Sequence, residues 1–143
     1  MAINLYKHQL EALNKMENGC ILVGGVGSGK SITSLAYYYL QEEGELSSLT
    51  GGEYIPMNDP PHDLYIITTA QKRDTLEWEG ELSHFLLSVH SDVNLYSNKV
   101  VVDSWNNIKK YENVKNSFFI FDEQRVCGSG AWVKSFLKIT KVN

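Results

Sequence analysis

One stretch constrains this chain more than any other: Gly24-Gly25-Val26-Gly27-Ser28-Gly29-Lys30-Ser31. It fits the pattern G-x-x-x-x-G-K-[ST]. An apolar run, Cys20-Ile21-Leu22-Val23, precedes it, and a segment with helical apolar spacing follows it. Glycines at these positions let the backbone curl until successive N–H groups point at phosphate oxygens. The helix that follows directs its positive end at the same place. Lys30 then neutralises β- and γ-phosphates, and the Ser31 hydroxyl completes a Mg²⁺ site that keeps several waters. The strand, loop and helix together predict a phosphate-binding loop for ATP with Mg²⁺, built from Gly24, Gly25, Val26, Gly27, Ser28, Gly29, Lys30 and Ser31.

A second pattern stands about ninety residues on. Phe118-Phe119-Ile120-Phe121 runs into Asp122-Glu123. Four apolar residues ending in two carboxylates suit the strand that supplies the metal-side acid of a nucleoside triphosphatase. Asp122 would hold Mg²⁺ through water, and Glu123 would act as general base on the attacking water. An adjacent glutamate suits hydrolysis better than phosphoryl transfer to a second substrate.

Between and around these motifs, strands alternate with helices. Apolar spacing predicts helices over 5–18 (Tyr6, Leu10, Leu13, Met16) and after the loop (Ile32, Leu35, Ala36, Tyr39, Leu40). It predicts two more over 72–88 and about 131–139. Short strands are expected at 20–23, 64–68, 93–96, 100–102 and 118–121, the last buried on both faces. Trp105 to Tyr111 reads as a helical turn or two, with Ser104 as its N-cap. Residues 41–63 hold Glu42-Glu43-Gly44-Glu45 and Asn58-Asp59-Pro60-Pro61-His62-Asp63, and predict a surface loop or hairpin insertion. The alternation predicts an α/β domain with a mainly parallel sheet and flanking helices over residues 1–143.

Composition narrows the function classes. Hydrophobic residues are 43% and charged residues 21%, enough apolar material for a core and too much for a disordered chain. No apolar run approaches the roughly 18 residues of a membrane span. The first residues, Met1-Ala2-Ile3-Asn4-Leu5-Tyr6-Lys7, lack a signal-peptide pattern, so a cytoplasmic location is expected. Net charge is −4, split as 5 basic and 13 acidic residues over 1–98 against 8 basic and 4 acidic over 99–143. An acidic chain is a poor general binder of nucleic acid, so any such contact must be local or shared with a partner. Cys20 and Cys127 form no CxxC pair and read as reduced thiols, and the four histidines show no zinc-ligand spacing.

With both motifs in hand, the chain resembles the superfamily 2 helicases and translocases, in particular Snf2-like and phage-encoded members. Asp122-Glu123-Gln124-Arg125 stands where that superfamily has its DExx box. Leu5-Tyr6-Lys7-His8-Gln9 resembles the segment whose glutamine reads adenine, which implies Gln9 on the base edge. Thr68-Thr69-Ala70-Gln71-Lys72-Arg73, followed by Trp78-Glu79-Gly80-Glu81-Leu82, resembles motif Ia. The resemblance implies nucleic-acid backbone contact from Thr69, Lys72 and Arg73, the alternative being a solvated basic pair; Trp78 reads as a packing residue. Val102-Asp103-Ser104-Trp105 resembles the motif Ib region, and Cys127-Gly128-Ser129-Gly130 a loop of phage members.

The resemblance implies the N-terminal RecA-like domain of an enzyme that couples ATP hydrolysis to movement on nucleic acid, DNA ahead of RNA. It also implies departures. The family's Ser-Ala-Thr strand and second RecA-like domain do not follow Lys141-Val142-Asn143, so the sheet should be incomplete and this chain alone inactive or very weak as an ATPase. The Cys20–Val23 and Phe118–Phe121 strands should then pair directly, or a second copy should fill the gap. A strand from 41–63 or 93–103 in that gap would mean a different strand order. Two other readings stay open: a nucleotide-binding regulatory module without motor activity, and a phage terminase-type packaging ATPase.

Overall fold

The structure, a computed structural model, describes residues 30–44, 57, 61–122 and 131–143, without the side chains of Lys30 and Ala131. Three parallel strands form its centre: β1 (Leu64–Thr68), β2 (Val100–Ser104) and β3 (Phe118–Phe121), in the spatial order β2-β1-β3. Helix α1 (Lys30–Gln41) precedes β1. Helices α2 (Ala70–Asp74) and α3 (Glu77–Ser83) lie between β1 and β2, a 3-10 helix (Trp105–Tyr111) between β2 and β3, and α4 (Ala131–Val142) follows β3. This is a small α/β arrangement, as the alternation of elements predicts. Among the described residues no helix is long and apolar enough to cross a membrane.

The strand order explains which apolar run is buried. All five residues of β1 are buried, because it is flanked on both edges and covered on both faces. The expectation of a doubly buried Phe118–Phe121 is corrected: in β3 only Ile120 is buried, and the three phenylalanines are half-buried. Register is level across the sheet, with Leu64 opposite both Val100 and Phe118, and Ile67 opposite both Asp103 and Phe121. Residues 100–104 lie on the side of β1 away from β3, so the 93–103 segment does not flank β3. The expected 5–18 helix, the Cys20–Val23 strand and its pairing lie outside the described residues.

The chain steps from β1 to β2 in one direction and from β2 past β1 to β3 in the other. Crossovers of one hand that step in opposite directions cover opposite faces. The core divides accordingly. Leu35, Ala36, Tyr38, Tyr39, Trp78, Leu82 and Phe85 pack with Leu64, Ile66 and Ile120 on one face. Ile67, Trp105, Ile108 and Ile139 pack with Phe119, Phe121, Trp132 and Phe136 on the other. On the second face Tyr65 stacks on Phe119 at 5.0 Å, and Phe121 meets Phe136 of α4 edge-on at 4.7 Å.

Four local expectations are corrected. Leu40 is exposed, and the buried face of α1 instead takes in Tyr37 and Tyr38. The single helix expected over 72–88 is two short ones, broken where Leu76 adopts a left-handed φ of 59°. Residues 93–96 are turn, not strand; Asn94 bridges to the carbonyl and side chain of Asn98 at 3.1 and 3.0 Å, which closes the chain on itself. Glu42 is not a surface residue of the expected loop. It is buried, and its carboxylate accepts the His62 backbone N–H and meets His62 Nδ1 at 2.7 Å.

That last contact orients α1. Tyr38 also donates its hydroxyl to the His62 carbonyl, and its ring meets Phe118 edge-on at 5.0 Å. Burial, with the Glu42 carboxylate adding to it, pushes the Tyr38 phenol up, so it remains a donor. The C-terminal end of α1 is therefore tied to the starts of β1 and β3. Twelve helical residues rise about 18 Å and five strand residues about 16 Å. With its C-terminal end held at the strands' starts and Leu35 and Ala36 in the core of the same face, α1 leads back to a first turn, with Lys30 and Ser31, on the side of the strands' carboxyl ends.

Candidate functional site

The carboxyl ends of parallel strands are where α/β sheets bind ligands, since loops and helix N-termini converge there. Here the ends of β1, β2 and β3 bring together Thr68, Asp103, Ser104 and Asp122. Thr69 follows β1 and caps α2, its hydroxyl accepting the Lys72 N–H at 3.2 Å. Because β1 is central, a short helix leaving it has a strand end on either side. Adjacent residues of a helix point in directions about 100° apart. Lys72 accordingly reaches the end of β3, and Arg73 the end of β2.

Asp122 is the centre of the first group. Its N–H donates to the Ile67 carbonyl at 2.7 Å, which continues the β3 ladder one residue past the strand. Its own carbonyl accepts from the Trp105 indole at 2.9 Å. Three donors meet its carboxylate: the Thr68 hydroxyl at 2.7 Å, the Trp78 indole at 3.2 Å and the Lys72 ammonium at 3.3 Å. Among the described residues all three fall on one oxygen, Oδ2. The side chain is 12% exposed. The carboxylate thus has a fixed orientation and is not wholly cut off from a ligand at the sheet edge.

Asp103 is the centre of the second group. It accepts from Arg73 Nη1 at 3.0 Å, Asn107 Nδ2 at 2.9 Å, the Ser104 N–H at 2.7 Å and the Tyr111 hydroxyl. Burial alone would raise its carboxyl, but the hydrogen bonds from Asn107, Tyr111, Ser104 and Arg73 prevail, and it lies below the usual carboxylate range. Burial raises the Tyr111 phenol, and the bond to Asp103 raises it further. Bonds to Asp74 and then Asp103 raise the Arg73 guanidinium. Ser104 stands at the N-cap position of the 3-10 helix but makes no side-chain cap bond; its hydroxyl takes Arg73 Nη1 at 3.3 Å.

Of the residues singled out in the sequence, the structure brings Thr69, Lys72, Arg73 and Asp122 to one edge. Lys30 opens α1, and Ser31 is half-buried in its first turn. Gln9, Gly24, Gly25, Val26, Gly27, Ser28, Gly29 and Glu123 lie outside the described residues. The sequence places Thr68, Asp103 and Trp105 inside the segments that resemble motifs Ia and Ib but gives none of them a role at the site. Asp103 carried a signal: Val100-Val101-Val102-Asp103 repeats, at the end of β2, the apolar-run-then-carboxylate pattern of Phe118–Asp122. Trp78 is buried, as expected of a packing residue, and also donates to Asp122.

The oxygen donors suit a hard divalent cation. Among the described residues no three His, Cys, Asp or Glu side chains gather as a metal cluster would; a hydroxyl at Ser31 and a carboxylate at Asp122 could hold Mg²⁺ only with its own waters and a nucleotide's phosphates as the other ligands. Thr68, Lys72 and Trp78 all donate to Oδ2 of Asp122, so Oδ1 would be the oxygen open to such a water shell. No protein-family model matches the chain, and neither a curated protein nor a solved structure does.

Proposed function

We propose that the chain is the ATP-binding portion of a superfamily 2 helicase or translocase. One observation carries this reading. The helix that begins at the lysine of G-x-x-x-x-G-K-S has its C-terminal end held at the starts of β1 and β3, which leaves its first turn on the side of the strand ends where Asp122 stands. A phosphate-binding loop and a metal-side acid need that relation.

On this reading the backbone of Gly24–Gly29 wraps the phosphates, Lys30 neutralises the β- and γ-phosphates, and Gln9 meets the adenine edge. Ser31 and Asp122 would hold Mg²⁺, which when bound would offset phosphate charge. Glu123 would take a proton from the water that attacks the γ-phosphoryl group. Thr69, Lys72 and Arg73 would contact the backbone of a nucleic acid, DNA ahead of RNA.

A second reading, a nucleotide-binding module without motor activity, is favoured by the engagement of both cations: Lys72 on Asp122 and Arg73 on Asp103. Titration calorimetry with ATP or ADP and MgCl2 tests what the two readings share. Lys30→Ala is expected to weaken binding about tenfold or more, since a hydrogen bond to a charged group contributes about 1.5–3 kcal/mol. Equal affinity in wild type and variant would remove Lys30 from the site. Anisotropy with labelled single- and double-stranded DNA separates the readings: binding favours the motor, its absence the module.

A further inference from the structure

We infer that Thr68 and Trp78 are positioning residues for Asp122, holding its carboxylate so that Oδ1 is the oxygen presented to a nucleotide-bound Mg²⁺. The inference rests on the nucleotide-binding reading above and assigns a task to two residues outside its motifs. A carboxylate at a strand end can rotate about two bonds, and a metal site needs it in one orientation. Here the Thr68 hydroxyl at 2.7 Å and the Trp78 indole at 3.2 Å approach the same oxygen from two elements, β1 and α3. Both donors are rigidly seated, since Thr68 is fully buried and Trp78 nearly so. The third donor, Lys72, is on a long side chain that is 31% exposed, so it adds charge more than direction.

The arrangement has the form of an outer shell around a metal ligand, in which hydrogen bonds to the ligand set its orientation and basicity. Neither donor would touch the metal. Trp78 has a further consequence: it carries the position of α3, which packs against α1, to the carboxylate itself.

The test compares ADP affinity in MgCl2 with ADP affinity in EDTA, on the full chain. Wild type is expected to bind more tightly with Mg²⁺. Thr68→Val keeps the side chain's shape and removes the hydroxyl; Trp78→Phe keeps most of the ring and removes the N–H. Each should cut the Mg²⁺ enhancement roughly tenfold, within the range usual for loss of such an orienting group, and leave affinity in EDTA unchanged. Thr68→Ser should retain the enhancement. A purely structural role would lower both affinities together, and an unchanged enhancement in both variants would overturn the inference. The indole N–H resonance of wild-type Trp78, assigned by its loss in Trp78→Phe, gives a readout should Thr68→Val not fold. It should shift on adding ADP with MgCl2 and stay still with ADP in EDTA; no shift with metal would also overturn the inference. If wild type binds no ADP in either buffer, the nucleotide-binding reading fails, and the inference falls with it.

Discussion

Among the described residues, Asp103 and Glu112 are the carboxylates held below the usual range, and Asp103 is the one inside a hydrogen-bonded network at the strand ends. Its folded carboxyl lies below the usual range, so its contribution is complete above that range and is lost as pH falls through the folded value. Tyr111 behaves oppositely: its phenol is raised, so its contribution is complete below the ordinary phenol value of about 10 and is lost as pH rises beyond it. Asp103→Asn should therefore do two things. It should lower stability at neutral pH by about 1–3 kcal/mol, because Arg73, Asn107 and Tyr111 lose a charged acceptor. It should also flatten the acid limb of the stability profile. Urea melts from pH 3 to pH 11 would show both, and an acid limb as steep as wild type would mean that other carboxylates set it. This network was only half legible in the sequence. A carboxylate after three valines can be noticed, but its donors come from one, four, eight and thirty positions away, and only the fold brings them together. Asp122 was easier to find because four aromatic and aliphatic residues lead into it. That Thr68, Trp78 and Lys72 would share one of its oxygens was not legible, since the side chain of Trp78 reads equally well as ballast for the core.

Elements were most legible where apolar runs were short and bounded. Leu64–Thr68, the 3-10 helix at Trp105–Tyr111 and the last helix all occur where the pattern predicts them. The long helix expected over 72–88 failed at Leu76, whose left-handed backbone has no signature in a leucine. Leu76 is 61% exposed, so little burial repays the conformation. A left-handed residue with a Cβ costs about 1–2 kcal/mol, and glycine gives some of that back through unfolded-chain entropy. Leu76→Gly should accordingly raise stability by about 0.5–1 kcal/mol, read as a higher denaturant midpoint with an unchanged slope. Destabilisation would mean that the exposed side chain has a contact worth more than the strain. The break has a use: it lets α3 turn back over the sheet and carry Trp78 to Asp122. Residues 93–96 were misread for a different reason. Val93 and Leu95 suggest alternation, but both are exposed, and the asparagines at 94 and 98 satisfy backbone and side-chain groups locally.

At the scale of the whole molecule, the α/β class was legible and the spatial order of strands was not. Chain order gives no sign that the strand at 64–68 is central and the one at 118–121 lies beside it. The central position makes neighbouring residues serve different layers: Ile66 packs with α1 and α3, Ile67 with the 3-10 helix and α4. Ile66→Val and Ile67→Val should each cost about 0.5–1.5 kcal/mol. Their sum should match the double variant within about 0.5 kcal/mol, as for sites without shared partners. A larger coupling in chemical denaturation would mean that the sheet transmits packing changes from one face to the other. The level register has a last implication. Phe118 N–H meets the Asp63 carbonyl at 2.8 Å and Asp122 N–H meets the Ile67 carbonyl at 2.7 Å, so β3 is gauged at both ends against one neighbour. A slip by one residue would carry Asp122 about 3.3 Å along the strand and turn it to the opposite face. A phenylalanine or a glutamate would then stand before Thr68 and Trp78. The distance between core and chemistry is measured out in whole residues, and a shift by any fraction of that unit would leave the hydrogen bonds of β3 unmade.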